Sequence, residues 1–150
     1  MLTTITRAQV WRTEVDHTPG QLAGVLGPLA AAGADLQVVM AYRLPGHPSR
    51  AVVEVYPVAG KKQAMAAATG GLGAAGLPVM LVEGDNRSGL GASIADALAG
   101  AGINIAFLVA QTVGKKFTAV FGFENDADAK QASALIKKCS APARKTVRKR

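Results

Sequence analysis

Stretches of bulky apolar residues, polar turns and apolar residues at helical spacing follow one another along the chain in a repeating order. Residues 10–15 and 78–83 are rich in bulky or β-branched side chains, which is typical of strands. A polar turn that contains glycine follows each of them. Apolar residues then recur three or four positions apart, as at Leu22, Val25 and Leu29, and this spacing predicts a helix.

The pattern predicts further elements after each of these helices. Gly33 and Gly102 follow the apolar stretches, and a glycine at this position commonly ends a helix. The remaining predicted elements are strands at 35–42 and 51–56 and a helix at 61–68 in the first half, and strands at 104–110 and 117–123 and a helix at 127–138 in the second. Each half therefore has the order β-α-β-β-α, which is the order of a ferredoxin-like α+β fold.

The two halves are copies of one unit. When the sequence is shifted on itself by 69 positions, residues 16–20 fall on residues 85–89, and identical residues continue as far as Ala41 on Ala110. An internal repeat of this length indicates two structural units of one kind. The sequence predicts a first unit over residues 1–76 and a second over residues 77–138.

A ferredoxin-like unit needs a fourth strand, and neither half shows a clear one after its second helix. Three explanations are open at the level of the sequence. The fourth strands are short, or residues 1–6 and a partner chain supply them, or the two units share one strand.

Two motifs resemble a known family. The sequence Asp-His-Thr-Pro-Gly-Gln-Leu-Ala at 16–23, and Asp-Asn-Arg-Ser-Gly at 85–89 followed by Ala-Gly-Ile-Asn-Ile at 101–105, resemble ACT domains. The resemblance covers about residues 8–136. It implies a stand-alone tandem ACT protein in which the two units pack side by side, with antiparallel sheets that carry helices on one face.

The resemblance also implies a function. ACT domains are regulatory modules that bind amino acids, most often attached to enzymes of amino-acid biosynthesis. It therefore implies a regulatory protein that is not an enzyme and that binds an amino acid or a similar small metabolite between ACT units. Its macromolecular partners would be a second copy of the chain, as in a homodimer or other homo-oligomer, and a metabolic enzyme.

Two positions carry the ligand in serine-sensing ACT domains, one in the turn after the first strand and one where the second strand begins. The matching residues here are Asn86 and Asn104, and an asparagine amide offers both a donor and an acceptor. The first unit has His17 and Asp35 at these positions. The full set of candidate ligand-binding residues is Asn86, Asn104, Asp85, Arg87, Gly89 and Leu90 in the second unit, and Asp16, His17, Gly20, Gln21, Leu22 and Asp35 in the first.

Several of these residues also have a simpler explanation. Gly20 and Gly89 are either glycines that bring backbone N–H groups to a ligand carboxylate or glycines of ordinary turns. Asp16 and Asp85 have the chemistry of turn or helix-capping acids. An exposed arginine next to an acid usually forms a weak surface ion pair, which is the simple interpretation of Arg87.

Asn86 and Asn104 flank one predicted helix, so they are expected at opposite ends of their unit. A helix of about 12 residues is about 18 Å long, too far for one amino acid to reach both. Side-by-side packing within the chain would join Asn86 to Asp35 and His17 to Asn104. Pairing between chains would join Asn86 of one copy to Asn104 of the other. The first arrangement is favoured because the two units are tethered.

The charge lies at one end of the chain. The formal net charge is +7, from 17 basic and 10 acidic residues. Seven of the basic residues lie within 137–150, so the remaining ten balance the ten acids and the rest of the chain is neutral. Residues 139–150 are poor in apolar side chains and are predicted to form a disordered basic tail. Weak binding of nucleic acid is expected through this tail alone.

Catalysis finds little support in the sequence. His17, His47 and Cys139 fall in a turn, a loop and the tail, with no third group to orient them. No phosphate-binding glycine-rich motif opens a helix, and a single cysteine excludes an internal disulfide, so no cofactor and no metal are predicted. The chain has no long apolar stretch and no signal-like start, which predicts a cytoplasmic protein without a membrane segment.

Two alternatives share the fold. RNA-recognition motifs have the same element order, but Ala119 and Gly122 stand where aromatic residues would stack on bases. A docking module without a ligand, which dimerises or binds a metabolic enzyme, fits every feature as well as a sensor does. Binding of amino acids distinguishes the docking module from the sensor.

Overall fold

The structure, a computed structural model, describes residues 3–141. The described residues form two units. The first unit is Ala8–Gly76, and the second contains the residues from Leu77 onward together with the described residues up to Arg7. Each unit is an α+β unit with a four-stranded antiparallel sheet and two helices, which confirms the predicted fold class.

The first unit follows the predicted order of elements. In chain order it contains β2 (Trp11–Asp16), α1 (Gln21–Ala31), β3 (Val38–Arg43), β4 (Arg50–Tyr56), α2 (Gly60–Thr69) and β5 (Gly73–Ala74). Its sheet has the order β3-β4-β2-β5.

The second unit repeats this order and begins with a strand from the start of the chain. Its elements are β1 (Thr4–Ala8), β6 (Val79–Asp85), α3 (Leu90–Gly100), β7 (Ile105–Val113), β8 (Lys116–Phe123) and α4 (Asp126–Ser140). Its sheet has the order β1-β6-β8-β7.

The fourth strand has a different source in each unit. In the first unit it is the two-residue strand β5, in which Gly73 and Ala74 pair with Arg12 and Trp11. In the second unit the N-terminal strand β1 lies beside β6 at the edge of the sheet. The first unit therefore starts at Ala8, and not at residue 1 as predicted, because the preceding residues satisfy the backbone groups of the other sheet.

Glycine ends the first helix of each unit, as predicted. Gly33 has φ +79°, its N–H donates to the Ala30 carbonyl oxygen at 3.0 Å, and the Ala34 N–H donates to that of Leu29 at 3.0 Å. This pair of hydrogen bonds is the Schellman motif, which needs a residue in the left-handed region. Gly102, with φ +70°, takes the same position after α3.

Each unit has its own apolar core. In the second unit, alternate residues of β8 face α3 and α4, and the rings of Phe121 and Phe123 stack with their centroids 5.9 Å apart. With one residue dropped from the loop before β8, these core phenylalanines align with Val53 and Val55 of the first unit, which are also buried. The core of the first unit is built from Val25, Leu29, Val53, Val55, Ala67 and Leu72.

Helix α4 extends further than predicted. It begins at the cap Asn125, whose side chain accepts a hydrogen bond from the Asp128 N–H at 2.8 Å, and it continues through Ser140. The prediction of a disordered tail from residue 139 is therefore wrong for Cys139 and Ser140, which complete the last helical turn. Residues 142–150 of the predicted tail lie outside the described residues. Between residues 3 and 141, no helix has both the length and the hydropathy needed to span a membrane.

Candidate functional site

The second unit contains a cavity of about 350 Å³ between the start of α3, strand β7 and the core side of β8. Most of its surface is apolar, and the polar side chains among its lining are those of Asn86, Gln111 and Thr112. The complete lining is Asn86, Leu90, Gly91, Ile94, Ala95, Ile105, Leu108, Ala110, Gln111, Thr112, Phe117, Ala119 and Phe121.

The first unit has a smaller cavity of about 180 Å³ at the equivalent place of the repeat. His17 lines it at the position that Asn86 occupies in the second unit. Its lining is Val15, Asp16, His17, Thr18, Gln21, Leu22, Ala41, Tyr42, Arg43, Ala51, Val52 and Val53. The two cavities are therefore one feature of the fold, and different side chains line it in the two copies.

In each unit an ion pair holds the turn that leads to the first helix. Asp16 is opposite Arg50 in the β2–β4 pairing, and the Arg50 Nη1 to Asp16 Oδ1 distance is 2.7 Å. Asp85 is opposite Lys116 in the β6–β8 pairing, with Lys116 Nζ 2.9 Å from Asp85 Oδ1. This ammonium group lowers the pKa of the Asp85 carboxyl below its ordinary value.

The helix-capping interpretation of Asp16 and Asp85 is wrong. The N-cap residues are Gly20 and Gly89, with φ +92° and +80°, and no side chain makes a capping hydrogen bond at either helix. Glycine is suited to both positions because the left-handed region costs it little. The aspartates instead complete their strands and anchor the turns to the neighbouring strand.

Backbone hydrogen bonds fix the same turns to the adjacent hairpin loops. The His17 N–H donates to the Ser49 carbonyl oxygen, and the Asn86 N–H donates to that of Lys115, both at 2.9 Å. The turns that bring His17 and Asn86 to the two cavities are thus held in place by backbone hydrogen bonds.

Arg87 makes its contact away from the cavity. Its Nη2 donates to the backbone carbonyl oxygen of Cys139 at 2.6 Å, in the last turn of α4. The predicted surface pair of Arg87 with Asp85 is replaced by this contact with a helix end. Arg87 is outside the lining of the second-unit cavity.

Tyr42, which lines the first-unit cavity, makes a hydrogen bond to a buried carboxylate. The Tyr42 hydroxyl donates to Glu54 Oε2 at 3.2 Å, and Arg12 Nε lies 3.8 Å from Glu54 Oε1. Only 6% of Glu54 is exposed. Burial, and after it the negative charge of Glu54, raise the pKa of the Tyr42 phenol above its ordinary value.

The structure brings some of the predicted residues together and separates others. Asn86 and Leu90 line the second-unit cavity, and Asp16, His17, Gln21 and Leu22 line that of the first unit. Outside either lining lie Gly20, Asp35, Asp85, Arg87, Gly89 and Asn104. Asn104 follows the end of α3, and because that helix has 11 residues, it is about 16 Å along the axis from the turn.

Sequence reasoning missed the part of the cavity that β7, β8 and the second turn of α3 provide. Gly91 and Ala95 line the cavity one helical turn apart, and the repeat could have identified them, since Leu22 and Leu26 occupy these positions in the first unit. The sequence gives no indication of this kind for Leu108, Gln111 and Thr112, because only the pairing of β7 with β8 brings them beside α3.

Across residues 3–141 no three or more His, Cys, Asp or Glu side chains are placed to hold a metal ion. The Cys139 thiol donates to the Ser93 carbonyl oxygen at 3.7 Å.

No protein-family model matches this chain, and no curated protein matches it in sequence. Solved structures do match its fold. The protein BT0572 from Bacteroides thetaiotaomicron is 14% identical, with a TM-score of 0.73 and 89% of each chain covered. The regulatory subunit of aspartate kinase from Thermus thermophilus, in its ligand-free form, is 15% identical, with a TM-score of 0.61 over 94% of this chain and 98% of the other.

A third match is the regulatory subunit of aspartate kinase from Thermus flavus, 18% identical with a TM-score of 0.59, covering 93% of this chain and 95% of the other. At such low identity these similarities establish the fold. The chain thus has the fold of two ACT-like ferredoxin units, as the sequence motifs imply.

Proposed function

We propose that the chain is a regulatory protein without catalytic activity that binds an amino acid at the second-unit cavity. The observation that carries this proposal is the combination of Asn86, a helix N-terminus and an apolar cavity of about 350 Å³ in one place. That volume is at the lower end of the range for small-molecule sites, about 300–1,000 Å³.

Each part of the cavity suits one part of an amino acid. The first N–H groups of α3 have no partners within the helix, and the positive end of its dipole favours a carboxylate. The Asn86 amide offers an acceptor to an ammonium group and a donor to a carboxylate. The apolar lining accommodates the ligand side chain, so the chemistry of all three groups is matched.

The regulatory role is supported by the fold that the chain shares with regulatory subunits of aspartate kinase. We propose a metabolic enzyme and a second copy of this chain as its partners, and a cytoplasmic location. A ligand shared between two units, with Asn104 or Asp35 completing the site, stays a prediction from the family resemblance.

Thermal unfolding of the full chain with each of the twenty amino acids at millimolar concentration tests the proposal. A ligand that binds only the folded state at a hundredfold excess over Kd stabilises it by about 2.7 kcal/mol, which is several degrees in Tm for a chain of this size. We expect at least one amino acid to raise the Tm, and Asn86→Ala to remove the effect.

Asn104→Ala serves as the matched variant in the same experiment. If the amino acid raises the Tm of Asn104→Ala as much as that of the native chain, the Asn86 cavity alone is sufficient to bind it. Loss of the response with both variants shows that Asn104 completes the site. The absence of a shift with every amino acid contradicts the proposal.

A second candidate function is a docking module without a ligand, and the edge of the second-unit sheet favours it. Strand β7 lies at the edge, and Leu108, Val109 and Val113 are 48%, 52% and 67% exposed. An edge strand with exposed apolar side chains can pair with another chain. The amino-acid series separates the candidates, because the Tm of a ligand-free module responds to none of the twenty amino acids.

A further inference from the structure

The two equivalent cavities differ in size because of two positions on the first helix of each unit. Shifting the sequence by 69 positions places Leu22 on Gly91 and Leu26 on Ala95. In the first unit Leu22 lines the cavity and Leu26 packs against the core, and the cavity holds about 180 Å³. In the second unit the smaller residues leave about 350 Å³. The missing leucine side chains therefore open the second-unit cavity.

The two cavities also differ in charge. The lining of the first includes Asp16, His17 and Arg43. The lining of the second contains no charged residue, and its polar members Asn86 and Gln111 are neutral amides. A charged ligand side chain that entered it would lose hydration without gaining a partner of opposite charge, which disfavours its binding.

We propose that the second-unit cavity selects an amino acid with an apolar side chain, of the size of leucine, methionine or phenylalanine, and that the chain has one such site. This inference rests on the proposed function. Leu90, Ile94 and Leu108 would contact the ligand side chain, and burying its apolar surface favours binding. The first-unit cavity is too small and too polar to take the same ligand.

Gly91 provides a test that preserves the fold. A Cβ atom added there would meet no heavy atom within 4 Å, so a side chain has room to enter the cavity. Gly91→Leu reproduces the residue of the first unit, and leucine favours a helix more than glycine does. Gly100→Leu is the matched control, since Gly100 ends the same helix, has equal room, and lies outside the cavity lining.

The experiment is calorimetric titration and thermal unfolding of the full chain with leucine, methionine, phenylalanine, serine, aspartate and lysine. The apolar amino acids are expected to bind at least tenfold more tightly than the polar and charged ones. Gly91→Leu should weaken their binding at least tenfold without lowering the Tm of the unliganded chain, and Gly100→Leu should leave binding unchanged. Ala95→Leu, on the next turn, is the second variant and should have the same effect as Gly91→Leu.

The outcomes separate this inference from the proposed function. A response to serine, aspartate or lysine alone overturns the inference and retains the amino-acid sensor. Equal binding of leucine and 4-methylpentanoate, which lacks the ammonium group, supports the apolar selection and overturns the amino-acid function. Full affinity for leucine in both Gly91→Leu and Ala95→Leu overturns the inference, and no response to any compound overturns both.

Discussion

The guanidinium group of Arg87 donates a hydrogen bond to the backbone carbonyl oxygen of Cys139 at 2.6 Å. Arg87 lies on the turn before α3, next to the cavity residue Asn86, and Cys139 lies in the last turn of α4. The last carbonyl groups of a helix lack partners within it and carry the negative end of its dipole. The contact therefore joins the candidate site to the end of α4.

Arg87→Ala should lower the free energy of unfolding by about 1 kcal/mol, because a charge-assisted hydrogen bond at an exposed position is lost. Urea unfolding measures this change, and hydrogen exchange should locate the faster opening at the end of α4. Lys130→Ala, an exposed substitution on the same helix, is the control and should have a smaller effect. Equal stability of the Arg87 variant and the native chain would contradict the prediction.

The pairing of Asp85 with Lys116 predicts a pH effect. Because Lys116 lowers the pKa of Asp85 in the folded chain, the carboxylate contributes stability at neutral pH that is lost as the pH falls below about 4. Lys116→Met should move the pKa of Asp85 upward toward its ordinary value, as measured by NMR titration. Lys62→Met should leave that pKa unchanged, and an unchanged pKa in the Lys116 variant would refute the assignment.

Tyr42 and Glu54 predict a second titration. The negative charge of Glu54 helps to raise the pKa of the Tyr42 phenol, and burial contributes more. Glu54→Gln should therefore lower this pKa only part of the way to its ordinary value. Ultraviolet difference titration in a Tyr56→Phe background isolates the signal, since the chain has two tyrosines. A pKa that rises in the Glu54 variant is incompatible with the geometry.

Gly122 faces the ring of Phe107 across the β7–β8 pairing. A Cβ atom at Gly122 would lie 2.9 Å from Phe107 Cζ and closer to other ring atoms, so the ring would have to move. Gly122→Ala should destabilise the chain by about 1–3 kcal/mol, the usual cost of overpacking. Thermal unfolding measures this loss of stability.

Gly100→Ala is the control for that substitution, since a Cβ atom there meets nothing within 4 Å. The double variant Gly122→Ala with Phe107→Leu should recover part of the loss, as expected for residues in contact. Additive effects of the two substitutions would show that the ring is not the cause.

The basic segment at 142–150, which is outside the described residues, carries five Lys or Arg side chains. Removing it should leave the Tm and the response to amino acids unchanged and abolish the salt-sensitive binding of single-stranded RNA. Fluorescence anisotropy at two salt concentrations measures the second effect. Ser140 and Ala141 are retained, because α4 continues through Ser140. RNA binding by the truncated chain at physiological salt would show that the folded units take part.

The sequence alone determined those features of the protein that depend on local chemistry. The repeat, the order of strands and helices and the glycine ends at Gly33 and Gly102 depend on residues that are near in the chain, where spacing and backbone preference act. The turn motif also predicts Asn86 as a ligand-binding residue, and in the structure Asn86 lines the second-unit cavity. Each of these features depends on a short stretch of sequence.

Only the tertiary structure decided the fourth strands and the shape of the cavity. β1 pairs with β6, more than seventy residues away, because the edge of that sheet offers backbone groups that no later strand within residues 3–141 satisfies. Leu108 and Gln111 reach the cavity because β7 pairs with β8. Contacts of this kind depend on packing between distant segments, which no local pattern encodes.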